Sequence, residues 1–239
     1  MQASVNEWFK TIYHVEMTDR ANIRYGKDPL SALTHFVGLL FAIAGLVSLC
    51  LLSRHDVAKL AVMSTYGLTL IAVFLASTCY HFFDLGAEGN RWLRRIDHGA
   101  IFLLIAGTDA PAVLHLTAGP ARVFLLGLVA ALALTGIIFK VVWVECPDRL
   151  STILYLGFGW MCLVPGYWMF PQLSIGAMAW LTLGGIAYTG GALIYVKERP
   201  DPWPGIFGHH EVWHICVLAG AGAHFMFTLG FVDFNYPPF

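Results

Sequence analysis

Leu30 to Ser53 reads LSALTHFVGLLFAIAGLVSLCLLS, and Leu60 to Phe83 reads LAVMSTYGLTLIAVFLASTCYHFF. Neither stretch contains Asp, Glu, Lys or Arg, and each is long enough to cross a bilayer as a helix, which takes about 20 apolar residues. Neither alternates as a barrel strand does. A third span runs from about Trp92 to Leu116 and carries Asp97 and Asp109; a fourth lies between Arg122 and Lys140. From Arg149 to Lys197 the chain is again free of charge, and as one helix this stretch would be about 70 Å long. It must fold back, and Phe170-Pro171-Gln172 is the turn. A last span runs from about His209 to Val232. These runs predict an all-α fold, a seven-transmembrane helix bundle over residues 30–239 with every backbone group bonded internally. A polar segment, residues 1–29, precedes it.

Composition agrees. Of the 239 residues 58% are hydrophobic and 12% charged, against roughly 25% charged in a soluble domain. Lys10, Arg20, Arg24, Lys27, Arg91, Arg94, Arg95, Lys140, Arg149, Lys197 and Arg199 fall on one side of the spans, and Arg54, Lys59 and Arg122 on the other. The positive-inside rule then places the N-terminus in the cytosol and the C-terminus outside. A net charge of −1 offers no basic surface for nucleic acid. The first residues contain Glu7, Glu16 and Asp19 and lack the apolar core of a signal peptide. Asn6 to Tyr25 is expected to lie along the inner membrane surface. Five cysteines show no metal-type spacing and no disulfide framework.

Ionisable groups inside a span are costly and usually have a function. Ser77 and His81 lie four apart on one face of the second span, near its cytosolic end. Asp97 lies in the first turns of the third span, and His210-Glu211-Val212-Trp213-His214 opens the last. The topology brings all three segments to one depth. Two His at i and i+4 chelate one divalent ion, and a third from another helix completes a three-ligand site with an open position. Zn²⁺ held by neutral His81, His210 and His214 lowers the pKa of bound water to about 7. Asp97 is placed to take a proton from that water, and Ser77 to hydrogen-bond the water, Asp97 or a substrate carbonyl.

Each residue also has a plainer reading. Asp97 can pair with Arg91, Arg94 and Arg95 at a helix N-terminus, Ser77 can serve packing, and the histidines can bond between helices. His210 to His214 also spells H-E-x-x-H, the zinc-peptidase pattern with Glu211 as base, although Glu211 can equally cap the helix. Asp109, about 18 Å beyond Asp97, is at the wrong depth for a further ligand. His224, some 21 Å beyond His210, can line a cavity floor, and His35 can support the site from the first span. His115 is expected to be solvated near the outer boundary, and His209 to point about 100° away from His210.

Asp28-Pro29-Leu30-Ser31-Ala32-Leu33-Thr34-His35, Ser77 to His81, Arg95-Ile96-Asp97-His98-Gly99-Ala100-Ile101, Leu104 to Thr108, His210 to His214 and Gly222-Ala223-His224-Phe225 together resemble the hemolysin III family. That family lies within the progestin and adiponectin receptor family, which is related to alkaline ceramidases. The resemblance implies seven helices, a cytosolic N-terminus, and zinc held by His81, His210 and His214 beside Asp97 and Ser77. The family's motif does not require Glu at the second position, which argues against Glu211 as base. Around Asp109 the chain reads Gly-Thr-Asp-Ala-Pro, where relatives often have an uncharged residue.

The expected activity is therefore that of a zinc-dependent hydrolase in the cell membrane, cleaving an amide or ester of a long-chain lipid, with the tail reaching toward His224. The bound partner would be a membrane lipid or fatty acid, and the metal site lies near the cytosolic face. A pore, which requires a continuous polar lining, and a lipid-sensing receptor with structural zinc are the alternatives.

Overall fold

The computed structural model describes residues 27–161, 166 and 169–231. The N-terminal segment expected along the membrane surface lies outside the described residues, as do Cys162 and the last residue of the last expected span. Among the described residues there are seven α-helices: α1 (Pro29–Ser53), α2 (Val57–Phe82), α3 (Gly86–Leu116), α4 (Gly119–Val142), α5 (Asp148–Trp160), α6 (Ile175–Lys197) and α7 (His209–Gly230). All except α5 are long and apolar enough to cross a membrane. At 13 residues, α5 is about 20 Å long, short of a hydrocarbon core of about 30 Å.

Local chemistry sets the ends. Pro29 opens α1, where its missing N–H costs nothing. The Asp56 carboxylate caps α2 by accepting from Lys59 N at 3.0 Å, and Ser174 Oγ caps α6 by accepting from Ala177 N at 3.1 Å. Phe170–Gln172 forms a 3-10 turn, so the long uncharged stretch does reverse there. The amide of Gln172 donates to Leu116 O at 3.2 Å, fastening that turn to the end of α3. Helix α3 starts at Gly86, well before Trp92, because Glu88 pairs with Arg91 one turn on and extends the helix past the apolar stretch.

Large apolar side chains cover the outside of the bundle, and polar groups are buried inside it among the apolar core. Phe41, Val123, Phe124, Ile175 and Ile186 are exposed, whereas Ser31, His35, Ser77, His81, Asp97, Lys140, His214 and Thr228 are buried. This is the distribution expected where lipid, not water, surrounds the helices, and the chain is a multi-pass membrane protein. Helix α1 packs on α2 and α7, α2 on α3, α5 on α3 and α6, and α6 on α7, while α4 packs on the outside of α3. The ring of α1, α2, α3, α5, α6 and α7 encloses a cavity of about 520 Å³ to which α4 contributes no side chain.

Candidate metal centre

The C-terminal end of α2 and the N-terminal ends of α1, α3 and α7 meet at one end of this cavity. Here His81 from α2 and His210 and His214 from α7 bring their ligand atoms within 4.8 Å of one another. His81 and His214 are 3% and 2% exposed. Among the described residues this group contains no carboxylate, so Asp97 stands outside the ligand cluster.

Hydrogen bonds fix which ring nitrogens face inward. The carboxylate of Asp28 accepts from His81 Nδ1 at 3.0 Å, and Asp28 N donates to His81 O at 2.8 Å, occupying a carbonyl in the last turn of α2. The Nδ1 of His214 donates to Ser31 O at 3.2 Å, and Thr34 Oγ1 lies 3.2 Å from the same nitrogen. A neutral ring whose Nδ1 donates has its lone pair on Nε2. His210 Nε2 lies 3.4 Å from His81 Nε2. Two nitrogens at zinc–nitrogen bond length on a tetrahedral ion are separated by about 3.3 Å. The donor set, its neutrality and this separation all fit a divalent ion such as zinc, and the buried three-His group can hold a metal ion.

The surroundings hold the imidazoles still. His35 stacks on His214 with ring centroids 3.7 Å apart and planes 13° from parallel. Both oxygens of Glu211 are engaged: Oε1 accepts from Ser31 Oγ at 2.6 Å and Oε2 from Gly208 N at 2.8 Å. The second of these satisfies the N-cap amide at the start of α7, so Glu211 fixes the entry of that helix and, through Ser31, ties it to α1. His209 is not part of the three-histidine group; its ring centroid lies 6.5 Å from that of Tyr195.

Asp97 and Ser77 line the same end of the cavity, with the Ser77 hydroxyl beside the Asp97 carboxyl. The arginines expected to pair with Asp97 go elsewhere: Arg91 to Glu88 and Glu145, Arg94 to Asp148, Arg95 to Glu88. Asp97 makes no ion pair among the described residues, although it is only 8% exposed. His224 lies in the wall at the far end. His115, expected to be solvated, is instead packed: its Nδ1 donates to Pro111 O at 2.7 Å and its ring stacks on Phe231 at 5.2 Å.

Sequence reasoning did not single out Asp28 or Thr34, whose partners are 53 and 180 residues away. The one local sign was Asp28 before Pro29, a capping position; its carboxylate makes no cap and turns to His81 instead. Lys140 was read as a marker of topology. It is fully buried, with Nζ 3.2 Å from Cys146 Sγ and 2.5 Å from Ser151 Oγ.

Comparison with known proteins agrees with this architecture. Residues 23–225 match the profile of the family described as Haemolysin-III related. The chain is 34% identical over 201 residues to the hemolysin-3 homolog of Bacillus subtilis (strain 168), covering 83% of this chain and 91% of that protein. It is 32% identical over 204 residues to hemolysin-3 of Bacillus cereus, covering 84% and 90%. It is also 27% identical over 240 residues to the adiponectin receptor protein of Drosophila melanogaster, covering 91% of this chain and 51% of that one. With nearly its whole length matched and a three-histidine group buried between α2 and α7, this chain belongs to the hemolysin III family, within the progestin and adiponectin receptor family.

Proposed function

We propose that this protein is a zinc-dependent integral membrane hydrolase that cleaves an amide or ester bond of a long-chain lipid. The observation that supports this reading is the shape and lining of the cavity. One end holds His81, His210 and His214 together with Asp97 and Ser77, and the middle is lined by Val73, Ile101, Leu104, Leu156 and Val217. A carbonyl at the polar end with an alkyl tail along the apolar walls matches this lining. The same apolar middle disfavours a hydrated ion path, and so a pore.

His81, His210 and His214 would hold the ion, which when bound supplies Lewis acidity at a carbonyl and lowers the pKa of water. Asp97, without a cationic partner, takes a proton from the attacking water and returns it to the departing nitrogen or oxygen. Ser77, beside Asp97, is placed to donate to it and so to orient the carboxyl for both transfers. Asp28 and the Ser31 carbonyl hold His81 and His214 in the tautomer whose Nε2 lone pair is free for a metal. The products are a carboxylic acid, whose tail remains between the helices, and an amine or alcohol.

In the proposed topology α5 and the residues that follow it complete a seventh span of a single domain, residues 30–239, in the cell membrane. The segment 1–29 and the metal site are then cytosolic. The concentration of Lys and Arg at that end supports this orientation.

The test is metal analysis and lipid-amide hydrolysis by purified protein, with mass spectrometry of lipids that co-purify. Wild type is expected to carry one zinc per chain and a fatty acid product, and His81→Ala and His214→Ala to lose both zinc and hydrolysis. Stoichiometric zinc in both variants, or undiminished hydrolysis without metal, would overturn the proposal.

A further inference from the structure

The far end of the cavity is not apolar. Asp109 lies on α3, 12 residues beyond Asp97 and about 18 Å further along the helix, and both side chains line the same cavity. His224 lies on α7 about 21 Å beyond His210, and it too lines the cavity. Helices α3 and α7 run in the same sense from the metal centre, so Asp109 and His224 reach similar depth. Between the two ends the walls are mostly apolar, including Ile101, Leu104 and Val217.

Among the described residues neither far-end group, the Asp109 carboxyl or the free ring nitrogen of His224, has a hydrogen-bond donor. Among the described residues Asp109 has no hydrogen-bonding or ion-pair partner. The adjacent Thr108 hydroxyl is committed to Leu104 O at 2.8 Å. His224 Nε2 lies 3.3 Å from Leu181 O. A carbonyl only accepts, so Nε2 carries the proton and Nδ1 keeps its lone pair. The ring cannot withdraw from this position without losing its seat against α6. That seat is Gly184, where a Cβ would come within 2.1 Å of the His224 ring.

An acid set within a membrane bundle is costly and calls for a partner. A plain alkyl tail reaching this depth would leave Asp109 against methylenes. A tail ending in a hydroxyl or amino group would supply the missing donor, and the span of about 18 Å is comparable to one leaflet of the hydrocarbon core, about 15 Å. We infer that Asp109 and His224 form a polar subsite selecting acyl ligands that carry a hydrogen-bond donor at or near the end of the chain. The inference rests on the proposed lipid reading only for which end of the ligand faces the metal centre.

The test is binding of hexadecanoic acid, ω-hydroxyhexadecanoic acid and ω-aminohexadecanoic acid to the purified, zinc-loaded protein in detergent. Wild type is expected to bind both substituted acids about tenfold more tightly than the plain acid, the effect of one buried hydrogen bond. Asp109→Leu is expected to reverse that order while keeping its zinc. Asp109→Asn, which keeps an acceptor but not the charge, should retain the preference for the hydroxyl acid and lose that for the amino acid; if Asp109→Leu does not fold, this variant decides. Equal affinity for all three acids in wild type, or preferences unchanged by both substitutions, would overturn the subsite. Hydrolysis of a plain lipid amide is measured in parallel. Activity without selectivity overturns the subsite and spares the hydrolase, while selectivity without activity supports the subsite and removes the hydrolase.

Discussion

The Asp28 carboxylate, at the very start of α1, accepts a hydrogen bond from His81 Nδ1 at 3.0 Å across to the last turn of α2. It is a partner one step outside the candidate ligand set, fixing both the tautomer and the ring orientation of His81. Such partners typically contribute 10- to 100-fold to metal affinity, about 1.4 to 2.7 kcal/mol. Asp28→Ala should therefore weaken zinc binding by about that factor in a chelator competition titration, and Asp28→Asn by less. The Asp28 side chain is 46% exposed, so the thermal unfolding of the metal-free protein should barely change.

Asp97 and Ser77 are distinguished from the metal ligands by what their removal leaves behind. Asp97→Asn should retain stoichiometric zinc yet lose about 10²- to 10⁴-fold in kcat, the usual contribution of a general acid–base. Ser77→Ala should cost less, because it removes only the hydroxyl that orients the carboxyl. Zinc lost together with activity in Asp97→Asn would make Asp97 a ligand and favour a structural metal.

Glu211 has both oxygens occupied, by Ser31 and by Gly208 N. Glu211→Gln should then keep metal and hydrolysis within a few-fold, and Glu211→Ala should lower stability by about 1 kcal/mol, as loss of a helix cap does. A loss of kcat of roughly 10² or more in Glu211→Gln, with the fold intact, would restore the peptidase-like reading of His210 to His214.

His209 and His210 are sequence neighbours, but only His210 belongs to the three-histidine group. His209→Ala should therefore leave the zinc content unchanged. His210→Ala should lose zinc. Equal loss in both variants would mean that the start of α7, not the imidazole, matters.

Among the described residues the buried Lys140 has a thiol and a hydroxyl as its hydrogen-bond partners and no carboxylate. Replacing it with an apolar residue of similar length, Lys140→Met, should be neutral or stabilising by up to about 4 kcal/mol, because the ammonium no longer has to be desolvated. Cys146→Ala, which keeps the ammonium and removes an acceptor, should destabilise by about 1–3 kcal/mol. Thermal unfolding in detergent measures both.

The amino-acid sequence by itself determined the helices. Length, apolarity and the positions of so few charges dictate where spans such as α1 and α2 begin and end, because a backbone in lipid must bond within its own segment. It also marked His81, His210 and His214, since i, i+4 spacing is a local property of a helix. Its reach failed where partners come from distant segments. Nothing local to Asp28 says that its carboxylate turns to His81, nor does the sequence near Arg94 say that it prefers Asp148 and leaves Asp97 without an ion pair. His115 looked solvated until Phe231 stacked on it. Only the tertiary structure decided these pairings, and with them the enclosed cavity between the three histidines and Asp109. Which polar groups meet depends on how the helices rotate and tilt against one another, and close packing sets that only once all of them are assembled.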